Sequence, residues 1–253
     1  MDKVIFFRKS NGLIIGMTTQ EAGNFYPNGS SIKAIELAEK TMRLVDYPKF
    51  SNLIVMRAER HGNSVINLSS LADTVGIVEF FCDGVIYKGP GAAVFFPGGC
   101  PAIAFYDPEK NLFGLLHGGW QPMIKGIIKK FLAEWEISGG KKERTKIQFL
   151  PSICESCLIY DDPYFNSTIF PKLVELFGNK KSAKDFFTSV RKKTHFQLNF
   201  LIEHLIRRDG YNNISILPAR KNCTCCGDNT YWCYRHHDNG NEKYRNAAFI
   251  IAR

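Results

Sequence analysis

The sequence has no long hydrophobic run, and this absence limits the kind of protein that it can encode. No apolar stretch approaches the roughly 20 residues that a membrane-spanning helix needs. Near the N-terminus only a short apolar stretch precedes Arg8, which is too little for the central segment of a secretory signal peptide. We therefore expect a protein that does not enter a membrane and that works in the cytoplasm.

The chain also lacks internal repeats, low-complexity tracts and a linker rich in proline, glycine or serine. Its hydrophobic content of 45% and charged content of 23% are ordinary for a globular protein, and 13% aromatic residues argue against disorder. A chain of 253 residues is long enough to bury a sizeable core. These features predict a single domain over residues 1–253.

The net charge is +9, but the basic residues stand in short, scattered clusters, at 141–144, 180–184, 191–193 and 207–208. A basic chain can attract nucleic acid or phosphorylated ligands. None of these clusters alternates with regularly spaced aromatic residues. We therefore interpret them as solvated helix faces, and we do not expect a nucleic-acid partner.

Histidine is scarce, with six residues, whereas there are eight cysteines. An even number of cysteines would suggest disulfides in a secreted chain, but nothing in this sequence points to secretion. Free thiols, with one or more as a metal ligand or nucleophile, are the expectation. The group Cys154, Cys157, Cys223, Cys225 and Cys226 could form a structural zinc site, and scattered buried thiols are the alternative.

The hydrophobic spacing predicts many strands and about four helices, without a strict alternation of the two. Such a pattern indicates an α+β protein in which helices pack outside mixed sheets. One predicted helix covers Pro122–Glu136, and others cover 31–44, 165–177 and 196–208. Before the first of these, strands at 102–106 and 112–116 flank a short turn and form a hairpin.

The ends of this hairpin carry two side chains that can do chemistry. Cys100 stands just before the first strand and His117 just after the second, so we expect them to be neighbours. Glycines flank both residues and allow close approach of a ligand. A third candidate, His61, lies between two other predicted strands and is also followed by glycine.

One thiolate and two imidazoles would give zinc three protein ligands and leave a fourth position open, as in catalytic zinc sites. Zinc in such a site lowers the pKa of bound water to about 7. In a second hypothesis Cys100 is a nucleophile that His117 activates, without a metal. In a third, the histidines are ordinary core or turn residues and Cys100 is a small buried apolar group.

Several motifs along the chain carry a family resemblance. They are His61-Gly62-x-x-Val65, Asp83-Gly84, Gly99-Cys100-Pro101, Tyr106-Asp107-Pro108, His117-Gly118-Gly119-Trp120, Cys223-Thr224, Tyr231-Trp232-Cys233-Tyr234-Arg235 and Arg245. In this order they resemble the YfiH-type proteins, which are catalogued as laccase-domain or polyphenol oxidase proteins and as purine nucleoside phosphorylases. The resemblance extends over nearly the whole chain.

The resemblance implies a four-layer α/β/β/α fold with mixed sheets, and a Zn²⁺ site formed by His61, Cys100 and His117. It implies a small-molecule substrate, since family members are described as acting on purine nucleosides by phosphorolysis and by adenosine deamination. Some members are described as editing peptidoglycan precursors, which would suit a cysteine-type hydrolase. The older copper-oxidase label fits poorly, because one cysteine and two histidines are too few ligands for a copper cluster.

Four further residues receive candidate roles in this reading. Glu59 and Asp83 are candidates for proton transfer, with Asp83 alternatively ordering the metal ligands or serving as a turn residue. Arg235 and Arg245 are candidates for anion contact, with a structural role as the alternative.

The sequence also departs from the family pattern near the proposed ligands. Gly99 stands where the family has aspartate, Gln121 replaces an arginine and Glu59 replaces a glutamine. Groups around a metal site orient the ligands and tune their basicity. A divergent specificity, or a catalytically weakened metal-binding protein, is therefore a further alternative.

Overall fold

The structure is a computed structural model. It describes residues 2–10, 12–47, 52–58, 61–70, 76–218, 220–228, 230–237 and 243–252, with only the backbone at 236–237. The strands are β1 (Val4–Ser10), β2 (Leu13–Thr18), β3 (Asn52–Met56), β4 (Val65–Asn67), β5 (Gly76–Phe80), β6 (Gly84–Lys88), β7 (Gly91–Phe95), β8 (Ala102–Asp107), β9 (Leu112–His117), β10 (Lys146–Phe149), β11 (Ile159–Asp161), β12 (Phe187–Val190), β13 (Lys193–Phe196), β14 (Ile214–Ser215) and β15 (Ala248–Ala252). The α-helices are α1 (Ser31–Leu44), α2 (Trp120–Ile124), α3 (Ile127–Ile137), α4 (Asp162–Tyr164), α5 (Phe170–Phe177), α6 (Lys180–Ala183), α7 (Leu198–Arg208) and α8 (Tyr234–His237).

Two mixed sheets form the centre of the fold. The first has the strand order β1-β2-β15-β7-β3-β5, and the second has the order β14-β10-β8-β9-β6-β4. In the first sheet β3 is parallel to β5 and β7, whereas β15 is antiparallel to both of its neighbours. In the second sheet β14 and β4 run parallel to their neighbours, and β8 and β9 form the antiparallel hairpin expected from the sequence.

Alternation along the strands explains why the two sheets pack face to face. In β3, Ile54 and Met56 lie in the apolar core shared with the second sheet, which contributes Val85 and Leu115. Because successive side chains point to opposite faces, Leu53 and Val55 instead pack in a separate core with helix α1.

The outer face of the second sheet is covered by α3 and α7. Phe105 of the sheet packs against Phe131 and Trp135 of α3 and shares its core with Leu201 and Leu205 of α7. With α1 outside the first sheet, the order of layers is helix, sheet, sheet, helix. The predicted α+β fold with four layers and mixed sheets is confirmed.

One predicted helix is wrong in detail. The spacing predicts a continuous helix over Pro122–Glu136, but the structure has α2 and α3, separated at Lys125 and Gly126. Gly126 has φ +78°, a left-handed conformation that ends the first helix and precedes the second.

A small third sheet lies outside the two large ones, with the order β11-β13-β12. Its strands and β5 were not predicted from the sequence. A π-helical turn, Phe165–Ile169, precedes α5, so the predicted helix over 165–177 is also irregular at its start. In the described part of the chain, every helix is too short or too polar to reach across a lipid bilayer.

Candidate active site

The β8-β9 hairpin brings two of the three proposed ligands together. His117 is the last residue of β9 and pairs with Ala102, the first residue of β8. Cys100 stands two residues before that strand, and the Gly118 N–H donates to the Pro101 carbonyl over 2.7 Å. The hairpin ends are thus tied side by side, as expected from the sequence.

His61 reaches the same place from the connection between β3 and β4, which joins the first sheet to the second. Its φ of +44° is unusual for a residue with a side chain. The Lys125 ammonium donates to its carbonyl over 2.7 Å. The centroids of the His61 and His117 rings are 5.2 Å apart.

One donor atom from each of His61, Cys100 and His117 lies within 4.8 Å of the other two. Tetrahedral zinc, with ligand bonds of about 2.0–2.3 Å, needs its donors roughly 3.3–3.8 Å apart. The three side chains therefore require only a small adjustment to share one ion. A thiolate with two imidazoles is also a donor set that zinc prefers.

Asp83 explains how His117 is oriented. The Asp83 Oδ1 and His117 Nδ1 atoms are 2.9 Å apart, and both side chains are buried. The carboxylate occupies Nδ1 and so leaves Nε2 as the atom that can bind a metal or accept a proton. In this position Asp83 acts on His117 and is not among the cavity-lining residues.

Burial and hydrogen bonding compete at Cys100 and His117. Burial acts to raise the pKa of Cys100, but hydrogen bonds with His117 and His61 outweigh it and lower the pKa to about 6. Burial acts to lower the pKa of His117, but its contacts with Asp83 and Cys100 raise the pKa to about 9. Each group therefore favours the charged form of the other, the thiolate at Cys100 and the imidazolium at His117.

The three side chains border a cavity of about 590 Å³, within the range of about 300–1,000 Å³ typical of small-molecule sites. Aromatic side chains form much of its wall, among them Tyr26, Phe95, Trp120 and Tyr160. The cavity therefore offers flat apolar surfaces close to the thiol and the imidazoles.

One wall of the cavity is cationic. Lys243 and Arg245 both line it, and both lie over the Tyr26 ring, at 5.6 and 5.4 Å from the ring centroid. The Arg245 Nη1 donates to the Tyr244 carbonyl over 2.6 Å, which holds the guanidinium in place. A ligand that carries negative charge is favoured at this wall.

Arg235 has a different position from Arg245. It lies outside the wall of the cavity, with its guanidinium 4.9 Å from the centroid of the Tyr160 ring. Its Nε donates to the Tyr234 hydroxyl over 2.9 Å, and its Nη1 to the Ile159 carbonyl over 2.8 Å. Arg235 therefore supports two tyrosines of the wall.

The remaining sequence candidates divide between described and undescribed residues. Glu59 lies outside the described residues, so its role stays a prediction. Gly99 and Gln121, which are two of the departures from the family pattern, both line the cavity. The substitutions thus fall where they would touch a ligand.

Sequence reasoning missed several residues of the wall. Tyr26, Tyr160 and Lys243 belong to no motif, and they come from parts of the chain far from the hairpin. Tyr160 is in a strand of the unpredicted third sheet, and burial raises its pKa well above the usual value. The aromatic content of 13% was the only related signal in the sequence, and it does not say which rings line a cavity.

Comparisons with known proteins identify relatives of this chain. Residues 33–253 match a family described as "Multi-copper polyphenol oxidoreductase laccase". The protein named "Purine nucleoside phosphorylase" from Borreliella burgdorferi is 26% identical over 234 residues, which cover 90% of this chain and 85% of that protein. "Purine nucleoside phosphorylase YlmD" from Bacillus subtilis is 28% identical over 89 residues, which cover 34% of this chain and 32% of that protein.

A solved structure supports the fold along the whole chain. It is described as "Bacillus licheniformis hypothetical protein YfiH" and superposes with a TM-score of 0.77 at 17% identity, covering 100% of this chain and 97% of that one. A likeness at this identity bears on the fold alone. Together with the family match over most of the sequence, it leads to one conclusion: the chain belongs to the laccase-like YfiH family.

Proposed function

We propose that this protein is a zinc-dependent enzyme that cleaves purine nucleosides, with phosphate as the acceptor of the ribose. The observation that carries the proposal is the Cys/His/His donor set opening into a cavity with aromatic and cationic walls. The names of the two relatives from Borreliella burgdorferi and Bacillus subtilis support this choice of substrate.

His61, Cys100 and His117 are the residues that would hold the zinc, because their donor atoms converge and suit its chemistry. Bound there, zinc supplies Lewis-acid chemistry, which polarises an oxygen or strengthens a nucleophile at neutral pH. Asp83 would keep the proton of His117 on Nδ1, which leaves Nε2 as the ligand atom.

The walls of the cavity would bind the two substrates. The cations Lys243 and Arg245 suit phosphate, because a charged donor makes a stronger hydrogen bond to an anion than a neutral one does. The rings of Tyr26, Phe95 and Trp120 offer flat surfaces for a purine base. Arg235 would act through Tyr160 and Tyr234, as a positioning residue.

Proton transfer completes the reaction, since a purine base leaves more readily when it is protonated. Glu59 is two residues before His61 and is our candidate for this role.

Deamination of adenosine is the related reaction in which water attacks the base at its amino-bearing carbon. The same cavity and donor set would support it.

The test is to incubate the purified protein with inosine, guanosine and adenosine, with and without phosphate, and to separate the products. Free base with ribose 1-phosphate, formed only with phosphate, would support phosphorolysis; inosine formed from adenosine would support deamination. His117→Ala should remove the activity. His204→Gln is the matched control, because it removes an exposed imidazole on α7, and it should leave the activity unchanged. A protein that converts none of these nucleosides would contradict the proposal.

A second candidate is a hydrolase in which Cys100 is the nucleophile and His117 the base. The lowered pKa of Cys100 and the raised pKa of His117 favour it, since both shifts favour transfer of the thiol proton to the imidazole. Alkylation with iodoacetamide separates the candidates. The first candidate is favoured if zinc protects Cys100 from alkylation and if removal of zinc by a chelator ends nucleoside cleavage. The second candidate is favoured if the enzymatic activity survives complete removal of zinc.

A further inference from the structure

Four cysteines, none of which lines the cavity, converge at a second place. Cys154 and Cys157 lie in the loop that follows β10, and Cys223 and Cys226 lie in the chain between β14 and α8. Each pair has the spacing Cys-x-x-Cys, which is common among structural zinc sites. The four sulfur atoms all lie within 4.8 Å of one another, and all four thiols are free.

The sulfur separations fit a shared ion better than a disulfide. The Sγ atoms of Cys154 and Cys226 are 3.7 Å apart. A disulfide requires about 2.05 Å between sulfurs. Four thiolates around zinc, at about 2.3 Å from the metal, lie roughly 3.8 Å from one another. The observed distance therefore corresponds to two ligands of one tetrahedral ion.

Backbone groups also point at the cluster, as they would to support a charged sulfur. The N–H groups of Cys154, Cys225 and Cys226 donate to Cys223 Sγ over 3.2, 3.3 and 3.4 Å. Four thiolates and Zn²⁺ carry a net charge of −2, and N–H donors at the sulfurs stabilise such a charge. These hydrogen bonds require the tight turn that the second Cys-x-x-Cys segment forms.

Gly227 permits this turn. Its N–H donates to the Cys223 carbonyl over 3.0 Å, and a Cβ atom at this position would lie 2.5 Å from the same oxygen. In the first pair, the Cys157 and Leu158 N–H groups both donate to the Cys154 carbonyl, over 3.0 and 2.9 Å. Both pairs are thus held on compact turns that present two sulfurs each.

The two turns are also joined directly. Ser152 forms a parallel bridge with Cys223, and the Thr224 N–H donates to the Ser152 carbonyl over 3.1 Å. Cys154 and Cys223 are buried, whereas Cys226 is exposed, so an ion can enter from solvent and then be enclosed on one side.

We propose that Cys154, Cys157, Cys223 and Cys226 bind one structural zinc ion through four thiolates. Each thiol gives its proton to solvent as the ion binds, and no redox change is involved. A closed set of four protein ligands leaves no open position for a substrate, so the role is structural. The ion fastens the loop after β10 to the segment that leads into Tyr234.

This fastening matters because both segments hold the loop that carries Cys100. The Ile153 N–H donates to the Gly99 carbonyl over 2.8 Å, and the Tyr234 N–H donates to the Gly98 carbonyl over 2.6 Å. The second ion would therefore stabilise the loop that carries Cys100, although none of its four ligands lines the cavity.

The first test is the zinc content of the purified protein by elemental analysis. The variant in which His61, Cys100 and His117 are all alanine should still bind one zinc per chain. Cys154→Ser combined with Cys157→Ser should bind one zinc fewer than the wild type. Cys225→Ser is the matched control, because this thiol lies in the same turn but outside the four, and it should bind as much zinc as the wild type.

These variants keep the two zinc proposals separate. Failure of the first site alone would leave one zinc in the wild type and none in the Cys154/Cys157 variant. Failure of the second site would leave no zinc in the variant without His61, Cys100 and His117, which would overturn the present inference. A disulfide among the four cysteines of freshly purified protein, or iron as their sole metal, would overturn it as well.

A second measurement leaves all four candidate ligands of the second site in place. In Cys100→Ala protein with four intact candidate ligands, a mercurial thiol reagent should release one zinc as four thiols react. The thiolate-to-metal absorption of a cobalt-substituted sample should disappear over the same range of reagent. Release of zinc without loss of these thiols would contradict a four-thiolate site.

Discussion

Asp83 and His117 are joined by a 2.9 Å contact between Oδ1 and Nδ1, with both side chains buried next to the candidate metal site. A carboxylate in this position makes the imidazole a better metal ligand and fixes its orientation. Asp83→Asn should therefore weaken zinc binding at the candidate active site by about 10–100-fold. Competition with a chelator of known affinity measures the change.

The control for Asp83 is Asp161→Asn, which removes a carboxylate from an exposed position in β11. It should leave the zinc affinity unchanged. Equal affinities of Asp83→Asn and wild type would show that the contact with His117 has no part in metal binding.

Arg245 lines the cavity and lies close to Tyr26, so it is a stronger candidate than Arg235 for a contact with phosphate. A hydrogen bond to a charged group contributes about 1.5–3 kcal/mol, which corresponds to roughly 10–100-fold in affinity. Arg245→Gln should raise the KM for phosphate by about this factor. Steady-state kinetics at varied phosphate concentration measures it.

Arg207→Gln provides the comparison, because Arg207 forms an exposed ion pair with Glu203 on α7. Its KM for phosphate should match that of the wild type. If Arg245→Gln lowers kcat and leaves the KM for phosphate unchanged, Arg245 does not bind this substrate.

Asp107 stabilises the hairpin from its turn. Its buried carboxylate accepts hydrogen bonds from the Arg144 guanidinium and from the N–H groups of Lys141 and Glu109. Asp107→Asn should lower the free energy of unfolding by about 2–3 kcal/mol, the contribution of hydrogen bonds to a charged group. Glu109→Gln, at an exposed position that also contacts Arg144, should change it by less than about 0.5 kcal/mol.

The same carboxylate gives a pH dependence. Burial acts to raise the pKa of Asp107, but hydrogen bonds from Arg144 and the backbone lower it below the unfolded value of 3.8. The stabilisation is therefore complete above that value and is lost as the pH falls through the folded pKa. Urea unfolding should show the difference between wild type and Asp107→Asn shrinking below about pH 4. A difference that is constant with pH would contradict this account.

The hairpin of β12 and β13 turns through two residues with side chains in a left-handed conformation. Arg191 has φ +52° and Lys192 has φ +64°, and Val190 pairs with Lys193 across the turn. Arg191→Asn with Lys192→Gly should raise the free energy of unfolding by about 1 kcal/mol, because these residues adopt this conformation more readily. Lys192→Ala removes the charge but keeps the Cβ, so it should leave the stability nearly unchanged. A double variant no more stable than the wild type would contradict the reasoning.

This turn also shows why the third sheet escaped sequence analysis. Hairpins with two-residue loops are usually recognised by Asn-Gly or Asp-Gly, and Arg191-Lys192 resembles a basic surface segment instead. The β8-β9 hairpin was predictable because apolar strands flank a polar turn that contains Pro108. The neighbourhood of Cys100 and His117 followed from that hairpin alone.

The local pattern named His61 as a third candidate ligand, but it gave no reason for His61 to lie near the other two, because that contact depends on how two sheets pack. Residues far apart in the sequence, such as Tyr26, Tyr160 and Lys243, meet in the cavity for the same reason. The spacing of apolar residues predicts which face of a strand or helix is buried. It does not predict which elements lie next to one another in the fold. The glycine at position 126 could have indicated the break between α2 and α3. It does not predict a break by itself, because a single glycine inside a helical pattern is often tolerated.

The strand connections near the cavity pass from one sheet to the other. His61 lies between β3 and β4 and Cys100 between β7 and β8, and in each case the first strand belongs to one sheet and the second to its neighbour. An ion that His61, Cys100 and His117 share would consequently link the connections between the two sheets to the end of β9. Separating the two sheets at this end would break bonds to the ion. Binding of the ion would therefore also stabilise the packing of one sheet on the other.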